Sequence, residues 1–359
     1  MVSDEDYMRE ALELARKGLG KTSPNPAVGC LIVKNGKVIG RGFHERAGKA
    51  HAEVRALAEA GREARKATMY VTLEPCNHYG RTPPCTEAII RAGISRVIIG
   101  TLDPNPLVSG RGMACLSRAG IVVKCGVLER EIKMMNEAYE KFITTKEPFV
   151  IVKAALSADG KIAAADGSSK WITGEEARRA VHELRGQIDA VMVGIGTVIR
   201  DNPSLTCRIE GYKNPVRIVV DSRLKIKAGA KILNNEAETI IATTKNAPMD
   251  KIEMLRKRGA KVIVVDSNER GVILKKLLKE LTSEGITSIM LEGGGRLIGS
   301  AFDEGIVDKV MFFIAPKIIG KGITITGESM RNIADSILLE RVEMKRIGED
   351  FLLLGYPAR

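Results

Sequence analysis

The sequence predicts an α/β protein built from two domains, and three observations lead to this prediction. At about 150 residues per domain, a chain of 359 residues is expected to hold about two domains. Apolar patterns with the periods of strands and of helices alternate along both halves of the chain. The alternation breaks over residues 144–148, and a new strand pattern begins at Phe149. We therefore place a domain boundary near residue 146, with domains at 1–146 and 147–359.

The first half opens with a helix, because apolar residues recur at helical spacing from Tyr7 to Ala15 and Gly18 stops the run. Asn35-Gly36 lies between two apolar runs, which is a strong hairpin signal. The patterns predict helices at 5–18, 51–64, 85–92 and 112–119, and strands at 29–33, 37–42, 69–73, 96–100 and 121–124.

The second half shows the same alternation and is also expected to form an α/β layer. Its patterns predict strands at 149–155, 189–194, 216–221, 239–243, 261–265, 287–291 and 308–314, and helices at 174–186, 249–258, 271–284 and 295–304.

The charge distribution and the aromatic content limit the kinds of binding partner that the sequence predicts. The net charge of +12 is spread over both halves without a basic tail, and aromatic residues make up only 4% of the chain. Base-stacking surfaces need aromatic side chains, so we expect no nucleic-acid partner and assign a few cations to phosphate groups of a small substrate. No run of about 18 apolar residues exists, so we expect no membrane span.

Cysteine content and the N-terminus indicate a cytoplasmic protein. Six cysteines in 359 residues do not make a disulfide scaffold. The first residues include Asp4, Glu5 and Asp6 and lack the apolar stretch of a secretory signal.

His51, Cys76 and Cys85 supply the donors of a zinc site. Zinc takes nitrogen and sulfur ligands in a tetrahedron, and catalytic sites use three protein ligands and leave the fourth position to water. His51 begins a predicted helix, Cys76 follows a predicted strand and Cys85 opens the next helix. Zinc lowers the pKa of a bound water to about 7, which makes it a nucleophile at neutral pH. We therefore expect one Zn²⁺ in the first domain.

Glu53 is the expected catalytic proton carrier. In zinc deaminases, a His-x-Glu segment precedes Pro-Cys-x-x-Cys, and the glutamate moves protons without binding the metal. Here His51-Ala52-Glu53 and Pro75-Cys76 fit that pattern, but eight residues separate Cys76 from Cys85 instead of two.

The intervening segment resembles one particular family. Leu73-Glu74-Pro75-Cys76, then His78, then Gly80-Arg81-Thr82-Pro83-Pro84-Cys85, resembles the deaminase half of the bifunctional riboflavin-biosynthesis deaminase/reductases. The resemblance extends to Asn25-Pro26, His44 and Asp103-Pro104-Asn105. It implies a cytidine-deaminase-like three-layer domain, with substrate contacts from Asn25, His44, His78, Asp103 and Asn105. His182, in a predicted amphipathic helix, is interpreted as structural.

A glycine cluster marks a second site in the other half. Gly293, Gly294 and Gly295 follow a predicted strand and open a predicted helix, where backbone N–H groups bind phosphate. The spacing is not G-x-G-x-x-G, because Gly299 comes one residue late. Close packing of the helix on the sheet explains these glycines equally well.

Five further segments, at 157–163, 169–173, 194–197, 201–206 and 219–222, look like the reductase half of the same family. This resemblance implies a dihydrofolate-reductase-like α/β domain that binds NADPH and forms a homo-oligomer. It implies NADPH contacts from Ala155, Trp171, Thr197, Asp201, Ser222, Gly294, Gly295, Arg296, Leu297, Ile298, Gly299 and Ser300. It implies substrate contacts from Lys153, Ser169, Arg185, Leu205, Arg208 and Glu292.

Three of these substrate residues have specific expected roles. The guanidinium groups of Arg185 and Arg208 suit phosphate, which they bind in bidentate fashion. Lys153, on the first strand of the domain, is expected to meet ribose oxygens.

The resemblance covers nearly the whole chain and implies a two-step enzyme. The first domain would deaminate a diaminopyrimidinone ribosyl phosphate, and the second would use NADPH to reduce the ribosyl chain to ribityl. One alternative is a tRNA deaminase with an accessory domain, which predicts a short cysteine spacing and a basic face. Another is a non-catalytic protein in which zinc only staples a loop, which predicts four protein ligands where the sequence offers three.

Overall fold

The computed structural model describes residues 2–79, 83–327 and 331–358, and each half of the chain forms its own sheet. By density of internal contacts the chain divides into Met1–Lys146 and Glu147–Arg359, here called unit 1 and unit 2. In the described residues, no helix combines the length and apolar character needed to cross a lipid bilayer.

Unit 1 alternates helices and strands as its patterns predict. Its helices are α1 (Asp4–Arg16), α2 (Ala52–Ala60), α3 (Cys85–Ala92), α4 (Arg111–Arg118), α5 (Glu129–Met135) and α6 (Glu137–Thr145). Its strands are β1 (Gly29–Lys34), β2 (Lys37–Phe43), β3 (Thr68–Leu73), β4 (Arg96–Thr101) and β5 (Val122–Cys125).

The unit 1 sheet carries helices on both faces. Its order is β2-β1-β3-β4-β5, with β1 antiparallel to β2 and β3, and with β3, β4 and β5 parallel. Successive residues of a strand point to opposite faces. Accordingly, Leu31 packs with α1 in one apolar cluster, and Ile32 packs with α2 and α3 in another. This is the three-layer arrangement that the resemblance implies.

Unit 2 has a longer sheet. Its helices are α7 (Glu175–Gln187), α8 (Ile195–Asp201), α9 (Met249–Lys257), α10 (Leu274–Ser283) and α11 (Gly295–Asp303). Its strands are β6 (Phe149–Ser157), β7 (Lys161–Ala164), β8 (Ala190–Gly194), β9 (Val216–Val220), β10 (Thr239–Thr243), β11 (Lys261–Val264), β12 (Ser267–Asn268), β13 (Gly271–Val272), β14 (Ser288–Leu291), β15 (Lys309–Ala315), β16 (Gly322–Thr324), β17 (Leu339–Ile347) and β18 (Asp350–Pro357).

The order of the main sheet, β11-β10-β9-β8-β14-β6-β15-β18-β17, sets the position of the second site. Strands from β11 to β15 are parallel, and the β17–β18 hairpin adds to one edge in the antiparallel direction. Ligands of such sheets bind beyond the carboxyl ends of the parallel strands. Gly194 ends β8, and Ser222 and Glu292 follow β9 and β14, so all three lie at that edge.

Several predicted bounds were wrong. The helix predicted at 51–64 ends at Ala60, because Gly61 has φ 52° and a 3₁₀ turn takes over at Gly61–Ala64. The helix predicted at 271–284 begins at Leu274, after the β12–β13 turn. The predictions also missed α5, α6 and α8, and the β7–β16 and β17–β18 pairs. Charged residues interrupt the apolar pattern of β17, which is mostly exposed.

Candidate active sites

His51, Cys76 and Cys85 converge in unit 1, and their ligand atoms all lie within 4.8 Å of one another. The Nδ1 of His51 lies 3.2 Å from the Sγ of Cys85 and 3.6 Å from the Sγ of Cys76. Zinc bonds of about 2.0–2.3 Å produce a tetrahedron with edges of about 3.3–3.8 Å. The donor set and its spacing therefore fit zinc. The described part of the chain offers three candidate ligands here, not the four of a purely structural site.

The start of α2 places His51 and Glu53 close together. His51 is the residue before α2 and has an extended backbone, with φ −70° and ψ 163°, whereas Glu53 lies in the first turn of α2. Residues two apart inside a helix face different directions. Because His51 lies outside the helix, its side chain can point towards the same place as that of Glu53. Glu53 interacts electrostatically with both His51 and Cys76.

The wide cysteine spacing is closed by the first turn of α3. The N–H of Cys85 donates to the Sγ of Cys76 at 3.4 Å, and the N–H of Thr86 donates to the Cys76 carbonyl at 3.2 Å. Helix N-termini stabilise thiolates in this way. The segment between the cysteines can therefore be long without separating the two sulfurs. Gly80, Arg81 and Thr82 of the family-like segment lie outside the described residues.

The electrostatics of this group suit a cation and a proton carrier. Burial, and then the negative charge of the Cys76 thiolate, raise the pKa of Glu53 to about 7. Hydrogen bonding from Cys85 and then His51 lowers the pKa of Cys76 to about 4, and the same contact with Cys76 raises the pKa of Cys85. Without a cation the two sulfurs thus share a proton, which a bound metal ion would displace.

The predicted substrate residues of unit 1 fall into two groups. The Nδ2 of Asn25 lies 3.1 Å from the Nε2 of His44, and the His44 and His51 ring centroids are 5.4 Å apart. Asp103 and Asn105 lie on the loop after β4, where the Asn105 N–H donates to the Asp103 Oδ1 at 2.9 Å. His78 is exposed on the segment that follows Cys76.

Glu74 organises the second of these groups, a role that the sequence analysis missed. Its buried carboxylate accepts backbone N–H bonds from Asp103 at 3.2 Å, Gly110 at 2.9 Å and Met113 at 3.0 Å. Glu74 therefore holds the loop with Asp103 and Asn105 beside Cys76. Its position next to Pro75-Cys76 was the available signal.

Asn136, the residue before α6, and Tyr139 of α6 anchor these two groups and were also missed. Asn136 pairs with both backbone groups of Ala27, accepting its N–H at 2.9 Å and donating to its carbonyl at 3.0 Å. Tyr139 donates to the Asp103 Oδ1 at 2.9 Å. No sequence signal pointed to these residues, because α6 itself was not predicted.

Unit 2 holds a cavity of about 1900 Å³ at the carboxyl edge of its sheet. That is larger than the usual 300–1,000 Å³ of a small-ligand pocket, so there is room for a dinucleotide and a second ligand. Predicted residues that line it are Lys153, Ala155, Ser169, Trp171, Arg185, Thr197, Asp201, Leu205, Arg208, Ser222, Glu292, Gly294, Gly295, Arg296, Leu297, Ile298 and Ser300. Gly299, also predicted to contact NADPH, is buried in α11 and is not among the described lining residues.

The start of α11 fits a dinucleotide phosphate. Gly293 and Gly294 have φ of 105° and 80°, which side-chain-bearing residues rarely adopt. They bring the chain from β14 into α11, whose first residues, Gly295 and Arg296, line the cavity. The first N–H groups of a helix have no partner within it and are able to bind phosphate. Lys and Arg outnumber Asp and Glu among the described lining residues. The cavity therefore suits anionic ligands.

A buried charge cluster forms the cavity floor. Arg185 donates Nε to the Glu292 Oε1 at 2.7 Å and Nη2 to Oε2 at 2.8 Å, and the Lys153 Nζ lies 3.5 Å from Oε2. Burial alone would raise the pKa of Glu292, but Arg185 and Lys153 lower it to about 2.

The buried charge cluster bears on the phosphate-binding roles predicted for Arg185 and Arg208. Arg185 gives two hydrogen-bonding arms to Glu292 and a third to the Thr206 carbonyl. Arg208 also lines the cavity and has no ion-pair partner among the described residues. His182, interpreted from sequence as structural, lines the same cavity, and its buried Nδ1 has no hydrogen-bond partner within the described chain. Its place one turn before Arg185 on α7 was the overlooked signal.

Two protein-family models match the chain, one within each unit. Residues 1–101 match the cytidine and deoxycytidylate deaminase zinc-binding region. Residues 148–353 match the RibD C-terminal domain.

Full-length relatives carry both parts. The chain is 47% identical to riboflavin biosynthesis protein RibD of Aquifex aeolicus, over 98% of this chain and 97% of that protein. It is 38% identical to RibD of Escherichia coli, over 98% of this chain and 99% of that protein.

Solved structures agree with the sequence relatives. A diaminohydroxyphosphoribosylaminopyrimidine deaminase/5-amino-6-(5-phosphoribosylamino)uracil reductase from Thermotoga maritima is similar with a TM-score of 0.86 and 38% identity, covering 99% of both chains. One form of RibD from Acinetobacter baumannii is similar with a TM-score of 0.87 and 37% identity, covering 99% of both chains.

These matches confirm the predicted fold class and the prediction of a deaminase joined to a reductase. The tRNA-deaminase alternative is not favoured, because the matches extend through the second unit. The chain therefore belongs to the RibD family of bifunctional riboflavin-biosynthesis enzymes, which join a zinc-dependent deaminase to an NADPH-dependent reductase.

Proposed function

We propose that unit 1 deaminates its substrate with His51, Cys76 and Cys85 as zinc ligands and Glu53 as proton carrier. The convergence of these three ligands beside a buried carboxylate carries the proposal. Zinc, when bound, supplies a Lewis acid that lowers the pKa of a coordinated water to about 7. Glu53, a buried carboxylate beside the three ligands, accepts a proton from the attacking water and gives a proton to the departing amine.

The proposed substrate of unit 1 is a diaminopyrimidinone ribosyl phosphate, the substrate class in the name of the Thermotoga maritima relative. We assign contacts with it to Asn25, His44, His78, Asp103 and Asn105. The Asn25–His44 pair beside His51 and the Glu74-held loop beside Cys76 support this assignment.

We propose that unit 2 binds NADPH and reduces the deaminated product at its ribosyl carbon. NADPH supplies the hydride, and the chain supplies position. We assign the cofactor phosphates to the start of α11 at Gly294–Arg296, with Thr197 and Ser222 along the same edge of the cavity. Trp171 and Ala155 are assigned to the nicotinamide end.

The substrate of unit 2 is placed against the buried charge cluster. Glu292 orients Arg185 and also contacts Lys153, and both cations line the cavity. Arg208 is assigned to the substrate phosphate, and Ser169 and Leu205 to the walls of the substrate site. Since the same phosphate passes through both steps, each unit needs cationic anchors.

Incubation of the full chain with the diamino substrate and NADPH, followed by mass spectrometry, tests the proposal. We expect the ring amine to be exchanged for oxygen from water, with release of ammonia, and the product then to gain two hydrogens. A zinc chelator should block the first product but leave reduction of a supplied deaminated intermediate intact. Reduction before deamination, or deamination that survives complete zinc removal, would refute it.

We also propose a homo-oligomer formed through unit 2. Strand β17 ends the described sheet order, and its neighbourhood exposes apolar side chains, with Leu338 at 70%, Val342 at 51% and Met344 at 61%. An uncovered strand edge with apolar side chains favours pairing with another chain. Light scattering of wild type and of Met344→Lys tests this: the variant should lower the mass, and a wild-type monomer would contradict it.

We propose a cytoplasmic location. None of the six cysteines, all of which lie in the described residues, forms a disulfide bond, which supports this proposal. Cell fractionation tests it: enzyme activity outside the cytoplasmic fraction would contradict the proposal.

A further inference from the structure

Three contacts hold the C-terminal part of the segment 165–174, which carries Trp171. The Lys317 Nζ donates to the Trp171 carbonyl at 2.8 Å. The Gly174 N–H donates to the buried Asp350 carboxylate at 2.7 Å. The Arg178 guanidinium stacks over the Trp171 ring at 4.6 Å. The indole, 63% exposed and lining the cavity, is therefore held in position by groups from outside its own segment.

Lys317 is itself held by the turn between β6 and β7. The Lys317 carbonyl accepts the N–H of Ala158 at 2.7 Å. The Asp159 carboxylate accepts the N–H of Ile319 at 3.0 Å through Oδ1 and that of Gly320 at 2.7 Å through Oδ2. Hydrogen bonds from Ser157 and from these two N–H groups lower the pKa of Asp159, so it stays charged and keeps both acceptors. The segment 316–320 therefore presents Lys317 at a defined place.

We propose that Lys317 is a positioning residue for NADPH binding: it fixes Trp171 at the mouth of the cavity, and Asp159 fixes Lys317. This inference rests on the proposed contact of Trp171 with the cofactor. Neither Lys317 nor Asp159 is among the described residues that line the cavity, so both act through Trp171. A segment ordered in advance loses less conformational entropy when the ligand arrives, and affinity rises accordingly.

The chain contains a single tryptophan, so its emission reports on this segment alone. In the full-length protein without cofactor, Lys317→Ala should lower the fluorescence anisotropy of Trp171. On titration with NADPH, the concentration that half-quenches the emission should rise about fivefold, as expected for loss of one charge-assisted hydrogen bond at an exposed site. The rate at saturating NADPH should change less than about twofold, because a positioning residue acts on binding.

Three variants sharpen the comparison. Lys317→Arg retains a cationic donor and should return the half-quenching concentration to within about twofold of wild type. Asp159→Asn, which weakens the hold on residues 316–320, should shift it in the same direction as Lys317→Ala. Lys321→Ala, a change at an exposed neighbouring lysine, should leave it unchanged. All of these residues lie in unit 2, so reduction of a supplied deaminated intermediate at saturating NADPH serves as the folding control in every variant.

The outcomes separate this inference from the proposed function. If NADPH fails to quench Trp171 in the wild-type chain, the proposed cofactor contact fails and this inference falls with it. If NADPH quenches wild type but Lys317→Ala matches wild type in anisotropy and titration, or Lys321→Ala has the same effect as Lys317→Ala, the positioning role alone is wrong. Failure of Lys317→Arg to recover affinity would also overturn it.

Discussion

The Arg185 guanidinium and the Glu292 carboxylate form a two-point pair in unit 2, with Nε to Oε1 at 2.7 Å and Nη2 to Oε2 at 2.8 Å. Glu292 is at the carboxyl end of β14, and Arg185 is in the last turn of α7. The pair thus joins the glycine-rich start of α11 to the helix on which His182 also lies. Arg185 presents a fixed, oriented charge to the cavity instead of a mobile one.

Glu292→Gln should destabilise unit 2 by about 3 kcal/mol, because Arg185 and Lys153 would be left as buried cations without a carboxylate. The KM of the reductase for the deaminated intermediate should rise, since Arg185 loses its orientation. Urea unfolding followed by Trp171 emission measures the first effect, because the only tryptophan lies in unit 2. Glu210→Gln, at another carboxylate of the cavity lining, is the control. Equal stability of Glu292→Gln and wild type would contradict the expectation.

Acid should weaken unit 2 through the same residue. The pKa of Glu292 is about 2 in the folded protein against an ordinary 4.5. The stabilisation from its ionised form is therefore complete above about pH 4.5 and is lost as the pH falls towards 2, amounting to about 3 kcal/mol. Urea unfolding at several pH values in this window should show a smaller pH dependence for Glu292→Gln than for wild type. Identical slopes would show that the pair contributes nothing to acid sensitivity.

Glu53→Gln should retain zinc and lose ammonia release by a factor of about 10²–10⁴, the usual contribution of a positioned proton carrier. The amide keeps the size of the side chain but cannot accept the proton. Metal analysis and an ammonia assay measure the two properties. Reduction of a supplied deaminated intermediate should be unaffected; its collapse in this variant would show that the two sites are not independent.

Asn136→Ala should loosen the Asn25–Ala27 segment, because the side-chain amide makes two buried hydrogen bonds to Ala27. We expect a stability loss of about 1–3 kcal/mol in unit 1 and a several-fold rise in KM for deamination. Zinc content should not change, since Asn136 does not contact the ligands. Thr144→Ala on the exposed part of α6 is the matched control. An unchanged KM would mean that the segment is held by other contacts.

The ligands of the candidate zinc site were predictable because their chemistry is carried by rare residue types at recognisable places. The chain has four histidines, and His51 stands two residues before Glu53 at a helix start. Strand and helix periods placed Cys76 and Cys85 at element ends. What the pattern did not show is how eight intervening residues return to the same ion, which depends on the N–H groups of Cys85 and Thr86.

Local sequence determined the alternating elements of both units, because hydrophobic period and glycine stops act over a few residues. It determined the positions of the zinc-ligand candidates and of Glu53 for the same reason. Only the tertiary structure decided the pairs Arg185–Glu292, Asn136–Ala27 and Lys317–Trp171, whose members are separated by 107, 109 and 146 positions. Such pairs form when whole strands and helices pack against one another, and no local period in the chain records which polar groups will then meet.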